Sequence, residues 1–161
     1  MKQGLVDIFL STPMTSMYPG ESFANFRVKV LDLIKFLEQE LASVSVYYAG
    51  RTPPTTTKFE IPSRAFDIDI ENLNAARLFF LIYPEPTASS ALIELGFAIK
   101  LGIPLVIITR QRKRLPHLVQ ELDKNRSNVF IFESGESDPF RFLRNDRRII
   151  RAVASCLRRN S

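Results

Sequence analysis

The sequence predicts an α/β fold, a three-layer arrangement around a five-stranded parallel sheet, flavodoxin-like or Rossmann-like in its winding. Two observations carry this prediction. Five short apolar runs, at 5–10, 44–49, 78–83, 104–109 and 128–132, are rich in β-branched and aromatic residues. Their apolarity is nearly continuous rather than alternating, as in a strand covered on both faces. Segments with helical periodicity separate them, and such alternation builds right-handed crossovers onto a parallel sheet.

The first run, Leu5 to Leu10, is too short to form the core of a signal peptide and lacks a small-residue cleavage pattern after it. Residues 23–41 then repeat Phe26, Val30, Leu33, Ile34, Leu37 and Leu41 at intervals of three and four, a helix with one buried stripe. Pro19, Gly20, Glu21 and Ser22 supply a turn and a cap before it. The stretch 50–64 holds Pro53, Pro54, Pro62 and a run of threonines, and reads as one long functional or mobile loop. A second helix is expected from Asp67 or Asp69 to Arg77, and a third over 89–101. Gly102 and Pro104 stop the third, because glycine accepts a left-handed cap and proline cannot continue a helix. A fourth helix is expected over 115–124 and a last one over 138–159, with Phe142, Ile149, Ile150, Val153 and Leu157 on one side and Cys156 buried beside them. The whole chain, 1–161, reads as one domain with a basic C-terminal helix.

Composition narrows the function. The net charge of +5 resides in one place: 141–159 carries seven arginines and one acid, Asp146, which leaves the rest of the chain slightly acidic. Those arginines interleave with an apolar stripe, so a packed helix with one wet basic face is expected rather than a nucleic-acid platform. One cysteine excludes an internal disulfide, and one histidine, His117, leaves little for a zinc site or a histidine triad. No run approaches the roughly 20 apolar residues of a membrane span. The chain reads as cytoplasmic, with no metal and no cofactor. It has neither a Gly-x-Gly-x-x-Gly nor a Walker lysine loop, which argues against a common dehydrogenase or P-loop hydrolase.

In an open α/β sheet the ligand sits at the C-terminal strand edge. Ser11 to Ser16 follow the first strand, Gly50 and Arg51 the second, and Pro84 to Ser90 the third. Glu94 lies about one turn into the third helix among Ala91, Leu92, Ile93, Leu95, Gly96, Phe97 and Ala98. An acid there either complements the helix dipole, worth about 0.3–1 kcal/mol, or points into the cleft with Thr87, Ser89 and Ser90 beside it. No other charge occurs between Glu85 and Lys100, which favours the cleft. Asp67 and Asp69 reach the same edge, with N-capping as the alternative role.

Several of these segments resemble the nucleoside 2-deoxyribosyltransferase superfamily. The start Asp7-Ile8-Phe9-Leu10-Ser11-Thr12-Pro13-Met14 is similar to that family's strand, small residues and Pro-Met. Asp69 before a helix, the strand 78–83, and Ser90-Ala91-Leu92-Ile93-Glu94-Leu95-Gly96-Phe97-Ala98 resemble its central block, and Lys100 to Pro104 extend the match. The likeness covers roughly 5–110. It departs at Ser90-Ala91, where the family has Gly-Thr, and at the family's upstream aspartate, for which Glu85 is the nearest acid. TIR-like NAD-cleaving domains and deoxyribosyltransferase-like antiviral defence effectors carry similar glutamates on similar folds.

The resemblance implies cleavage or transfer at an N-glycosidic bond, with Glu94 as nucleophile and Asp69 or Asp67 protonating or orienting the leaving base. The substrate would be a nucleoside, a nucleotide or NAD. Ser11, Ser89 and Ser90 would bind sugar hydroxyls or phosphate, with Pro13 and Met14 lining the cleft. Phe9, Phe66 or Tyr83 would stack on the base, and Arg51 and Arg64 would hold a phosphate unless they are simply solvated. A homo-oligomer is implied. The rival reading is a nucleotide sensor on the same fold without catalysis.

Overall fold

The computed structural model describes residues 6–13, 21–51 and 62–159, with the side chains of 21–23 and 159 left aside. Five strands form one sheet: β1 (Val6–Ser11), β2 (Val46–Tyr47), β3 (Ala76–Tyr83), β4 (Leu105–Thr109) and β5 (Val129–Glu133). Every pairing is parallel, in the order β2-β1-β3-β4-β5. This is the doubly wound, flavodoxin-like order, whose crevice opens where the winding reverses beside β1. Helices α1 (Glu21–Glu40), α2 (Pro62–Ala75), α3 (Ser90–Leu101), α4 (Leu122–Asn125), α5 (Pro139–Asn145) and α6 (Arg147–Arg159) complete the three layers.

The pleat sorts the side chains. Ile8 and Leu10 of β1, Leu78, Phe80 and Ile82 of β3, and Val106 and Ile108 of β4 pack against α1, α5 and α6. The alternate residues Phe9, Phe79, Leu81, Tyr83, Leu105 and Ile107 pack beneath Leu73 of α2 and Ala91, Leu95 and Ala98 of α3. Two-sided burial is why these runs read as continuously apolar. Cys156 is buried in the first of these clusters.

Several expected boundaries shift, each for a local reason. The second helix begins at Pro62 rather than at Asp67 or Asp69, with proline in the first turn, where its missing N–H costs nothing. The same helix stops at Ala75, because Ala76 already pairs with Val6 and opens β3. Asp67 and Asp69 are therefore mid-helix residues and not caps. The ends of the long loop expected over 50–64 belong instead to a 3₁₀ turn at Ala49–Arg51 and to α2, and the rest of it, 52–61, lies outside the described residues. β2 keeps only two paired residues of the six expected, as an edge strand with one neighbour.

The fourth helix expected over 115–124 is broken after Pro116, which cannot donate within a helix, into a 3₁₀ turn His117–Val119 and the short α4, with a further 3₁₀ turn, Arg112–Arg114, before it. The last helix is two. Asp146 is extended between α5 and α6, and its carboxylate accepts from the N–H and guanidinium of Arg148. The third helix starts at Ser90 and ends as anticipated, on Gly102 at φ 71°. The turn foreseen at Pro19 to Ser22 falls largely outside the described residues.

At the N-terminal edge of the sheet, opposite the strand ends that carry the site, Asp7 is the polar anchor. It accepts from Arg77 Nη1 at 3.0 Å and from the backbone N–H of Ser45 at 2.9 Å. Arg77 also donates to the Leu157 carbonyl in the last turn of α6, a favourable place for a cation. One ion pair thus joins β1, β3, the approach to β2 and the end of α6. Arg77→Ala should leave the Asp7 carboxylate mostly buried and unpaired, costing about 2–4 kcal/mol in urea unfolding. A loss below about 0.5 kcal/mol would show that solvent replaces the guanidinium.

Candidate functional site

The parity of β1 determines which of its residues reach the cleft. Counting from Phe9, Ser11 also faces the α2/α3 layer, and it is the last residue of the strand. Its hydroxyl donates to Glu94 Oε2 at 2.5 Å. Glu94 sits one turn after Ser90 on α3, and at this i,i+4 spacing the Ser90 hydroxyl also bonds its carboxylate. The hydroxyl of Ser90 thus occupies the place where the resembling family has glycine. Ala91 beside it is fully buried in the core beneath α3.

Asp69 comes from the facing turn of α2, four residues before the core residue Leu73 and therefore on the sheet-facing side. Its Oδ1 accepts from the Tyr47 hydroxyl at 2.7 Å. Tyr47 is paired with Phe9 across the β1–β2 ladder, and its ring leans on Phe9 with centroids 5.1 Å apart. Sequence reading missed Tyr47 because its orientation depends on a two-residue strand register. The available signal was its alternation with Tyr48 at a strand end.

Burial dominates the electrostatics. It pushes the Glu94 carboxyl up to about 7, against the opposing pull of the Ser11 and Ser90 hydroxyls, while the nearby Asp69 charge adds to the rise. Burial also raises Asp69, with Tyr47 pulling the other way. Two carboxyls that both resist ionisation share this edge, a pattern typical of acid–base and nucleophilic sites.

The loop before α3 is fixed from both sides. Tyr83 Oη accepts from the Thr87 N–H and donates to the Thr87 carbonyl, both at 2.8 Å. Glu85 is clamped by Arg110, at 3.0 Å, and by Arg114. Ser89 stands at the N-cap of α3 in extended conformation without capping through its side chain, and its buried Oγ has no hydrogen-bond partner among the described residues.

Not every expected residue joins this cluster. Phe9 is corrected from base stacking to core packing: its ring is 1% exposed and stacks on Phe79 at 5.7 Å. Tyr83 is likewise buried and is committed to Thr87. Arg51 bonds Glu38 of α1 and the Val46 carbonyl instead of standing free for a phosphate. Asp67 and Arg64 are exposed on α2. Phe66 is exposed as well, in edge contact with Phe97 of α3 at 5.9 Å. Pro13 is buried after β1, and Met14 lies outside the described residues.

Among the described residues no group of three metal-ligating side chains occurs, and no helix is long and apolar enough to cross a membrane. Two surface clefts of about 420 Å³, one around His117 and Glu121 and one around Lys29 and Arg144, share no residue with the Glu94 cluster.

No family model and no curated protein matches the chain. Solved structures do match its fold. The CMP N-glycosidase BcmB of Clostridium botulinum is 18% identical over 81% of this chain and 89% of its own, with a TM-score of 0.59. BlsM is 18% identical over 99% and 97%, with a TM-score of 0.68. A conserved protein from Enterococcus faecalis V583 is 15% identical over 98% and 99%, with a TM-score of 0.58. At such identities the likeness shows a common fold.

The raised Glu94 carboxyl has a consequence for stability. Unfolded, it titrates near 4.5; folded, near 7. Between these values the folded chain binds more protons, so this group lowers stability as pH rises through the window and adds no further loss above it. Glu94→Gln should remove that slope and stabilise the protein at pH 8, by at most about 3 kcal/mol. Denaturant melts at pH 5 and pH 8 check this, and an unchanged pH dependence would refute it.

Proposed function

We propose that this protein cleaves, or transfers across, the N-glycosidic bond of a nucleotide, with Glu94 as the nucleophile. The observation that carries the reading is the largely buried Glu94 carboxyl at the C-terminal sheet edge, held through Oε2 by Ser11 and facing Asp69. The fold shared with a CMP N-glycosidase adds support and makes a pyrimidine nucleoside monophosphate the first substrate to test.

One oxygen of the Glu94 carboxylate attacks the anomeric carbon while Ser11 holds the group in place through Oε2. Asp69 supplies a proton to the departing base, and a covalent glycosyl-enzyme is then released to water or to a second base. Splitting the displacement in two replaces one high barrier by two lower ones, as in retaining glycosidases. Burial serves this chemistry, because a carboxylate stripped of water is a stronger nucleophile and stabilises an oxocarbenium centre better. Ser89 Oγ and the N-terminal N–H groups of α3 are the donors for the phosphate.

We place the whole chain, 1–161, in one such domain, working in the cytoplasm as a homo-oligomer. Ile93, Phe97 and Leu101 line one side of α3 at four-residue spacing, and with Phe66 of α2 they leave an exposed apolar stripe for self-association.

Base release from CMP, other nucleotides, nucleosides and NAD identifies the substrate. On the best of these, Glu94→Gln should retain the fold and lose about 10³-fold or more in kcat. Asp69→Asn should lose less, and a leaving group that needs no protonation should restore part of its rate. Full activity in Glu94→Gln would end the nucleophile assignment. Light scattering at micromolar concentration should give a multiple of the chain mass, and the mass of one chain would reject the oligomer.

A further inference from the structure

We infer that Tyr47 is a positioning residue of this site: its hydroxyl, 2.7 Å from Asp69 Oδ1, holds that carboxyl so that Oδ2 is the oxygen presented to the leaving base. The inference rests on the reading of Asp69 as the group that protonates the base, and it names what sets the direction of that proton.

The geometry is built from the core outward. Phe79 of β3 stacks on Phe9 of β1 at 5.7 Å, and Tyr47 of β2 leans on Phe9 at 5.1 Å with an interplanar angle of 39°. Phe9 and Phe79 are fully buried. The phenol at the end of this row of rings therefore has little freedom to swing, and its oxygen is delivered to one place above α2.

Its protonation state is equally constrained. Burial, the hydrogen bond to Asp69 and that group's charge, with a contribution from Glu94, hold the phenol far above its ordinary range, so it keeps its proton around neutral pH. A permanent donor on Oδ1 leaves Oδ2 as the position for a proton on Asp69. Among the described residues, the titratable groups facing Asp69 are Tyr47 from β2 and Glu94 from α3, while Ser11 and Ser90 face Glu94.

The step balances. The C1′–N electron pair leaves with the base, the Oδ2 proton passes to the base nitrogen, and a Glu94 oxygen forms the new bond to C1′. When water displaces Glu94 from C1′, one water proton returns to Asp69 Oδ2. Through both halves Tyr47 keeps its own proton and stabilises the transient Asp69 carboxylate.

Tyr47→Phe deletes the hydroxyl and keeps the ring packing on Phe9. With CMP as probe, kcat should fall about ten- to hundredfold while KM changes less than about twofold. In an Asp69→Asn background the same change should have almost no further effect, since the two groups act as a unit. A wild-type rate in Tyr47→Phe, or an equal loss in both backgrounds, would overturn the assignment.

A second measurement needs no turnover. The carboxyl ¹³C titration of Asp69 should move to higher pH in Tyr47→Phe, because a donor that favours the charged form is gone. An unmoved titration refutes the positioning role. A moved titration in a protein that cleaves no nucleotide upholds the role of Tyr47 and counts against the N-glycosidic reading instead.

Discussion

The site depends on the two-residue alternation along β1. Ile8 and Leu10 point into the core shared with α1 and α6, while Phe9 and Ser11 point toward α2 and α3. A slip of one residue would send Ser11 to the opposite layer and break its bond to Glu94, and it would bury the wrong set of apolar side chains. Register is secured on both sides, by Phe9 opposite Tyr47 in β2 and opposite Phe79 in β3. Phe9 is thus a structural hinge-pin of the site without belonging to it. Packed between Tyr47 and Phe79, it decides where a tyrosine hydroxyl and a serine hydroxyl emerge.

The two edges of the sheet treat carboxylates in opposite ways. At the N-terminal edge Asp7 is matched by the Arg77 guanidinium and a backbone N–H, so its charge is compensated where it lies. At the C-terminal edge the groups that bond or face Glu94 and Asp69, among the described residues, are hydroxyls and each other. Hydroxyl hydrogen bonds are too weak to repay the burial of a charge, which is why both carboxyls are driven upward. Evenly paired acids would suit stability better. Carboxyls that resist ionisation at one edge, against a well-compensated opposite edge, form the pattern that functional sites often show.

The loop that carries Ser89 is held by similar economy. Tyr83 exchanges two bonds with Thr87, and Glu85 is clamped by arginines from the far end of β4. Both oxygens of Glu85 are engaged in this way, one by Arg110 and one by Arg114. The loop is tied down where it leaves the sheet, and among the described residues Ser89 Oγ has no hydrogen-bond partner as α3 begins.

Fold class was legible in the sequence because two-sided burial writes long apolar runs and one-sided burial writes a helical stripe. These are local signals of a global arrangement, and they sufficed for five parallel strands, for the stop at Gly102 and for the choice of Glu94 as the odd acid in an apolar helix. Boundaries set by single contacts were not legible. That Arg77 belongs to β3 follows from a partner seventy residues earlier, and the split of the last helix follows from Asp146 turning back on Arg148. The site itself divides the same way. Which residue types were available was a matter of sequence. That Phe9 faces inward, that Arg51 is committed to Glu38, and that Tyr47 reaches Asp69 was decided only by tertiary structure, because side-chain direction on a strand depends on a pairing register that no local pattern encodes.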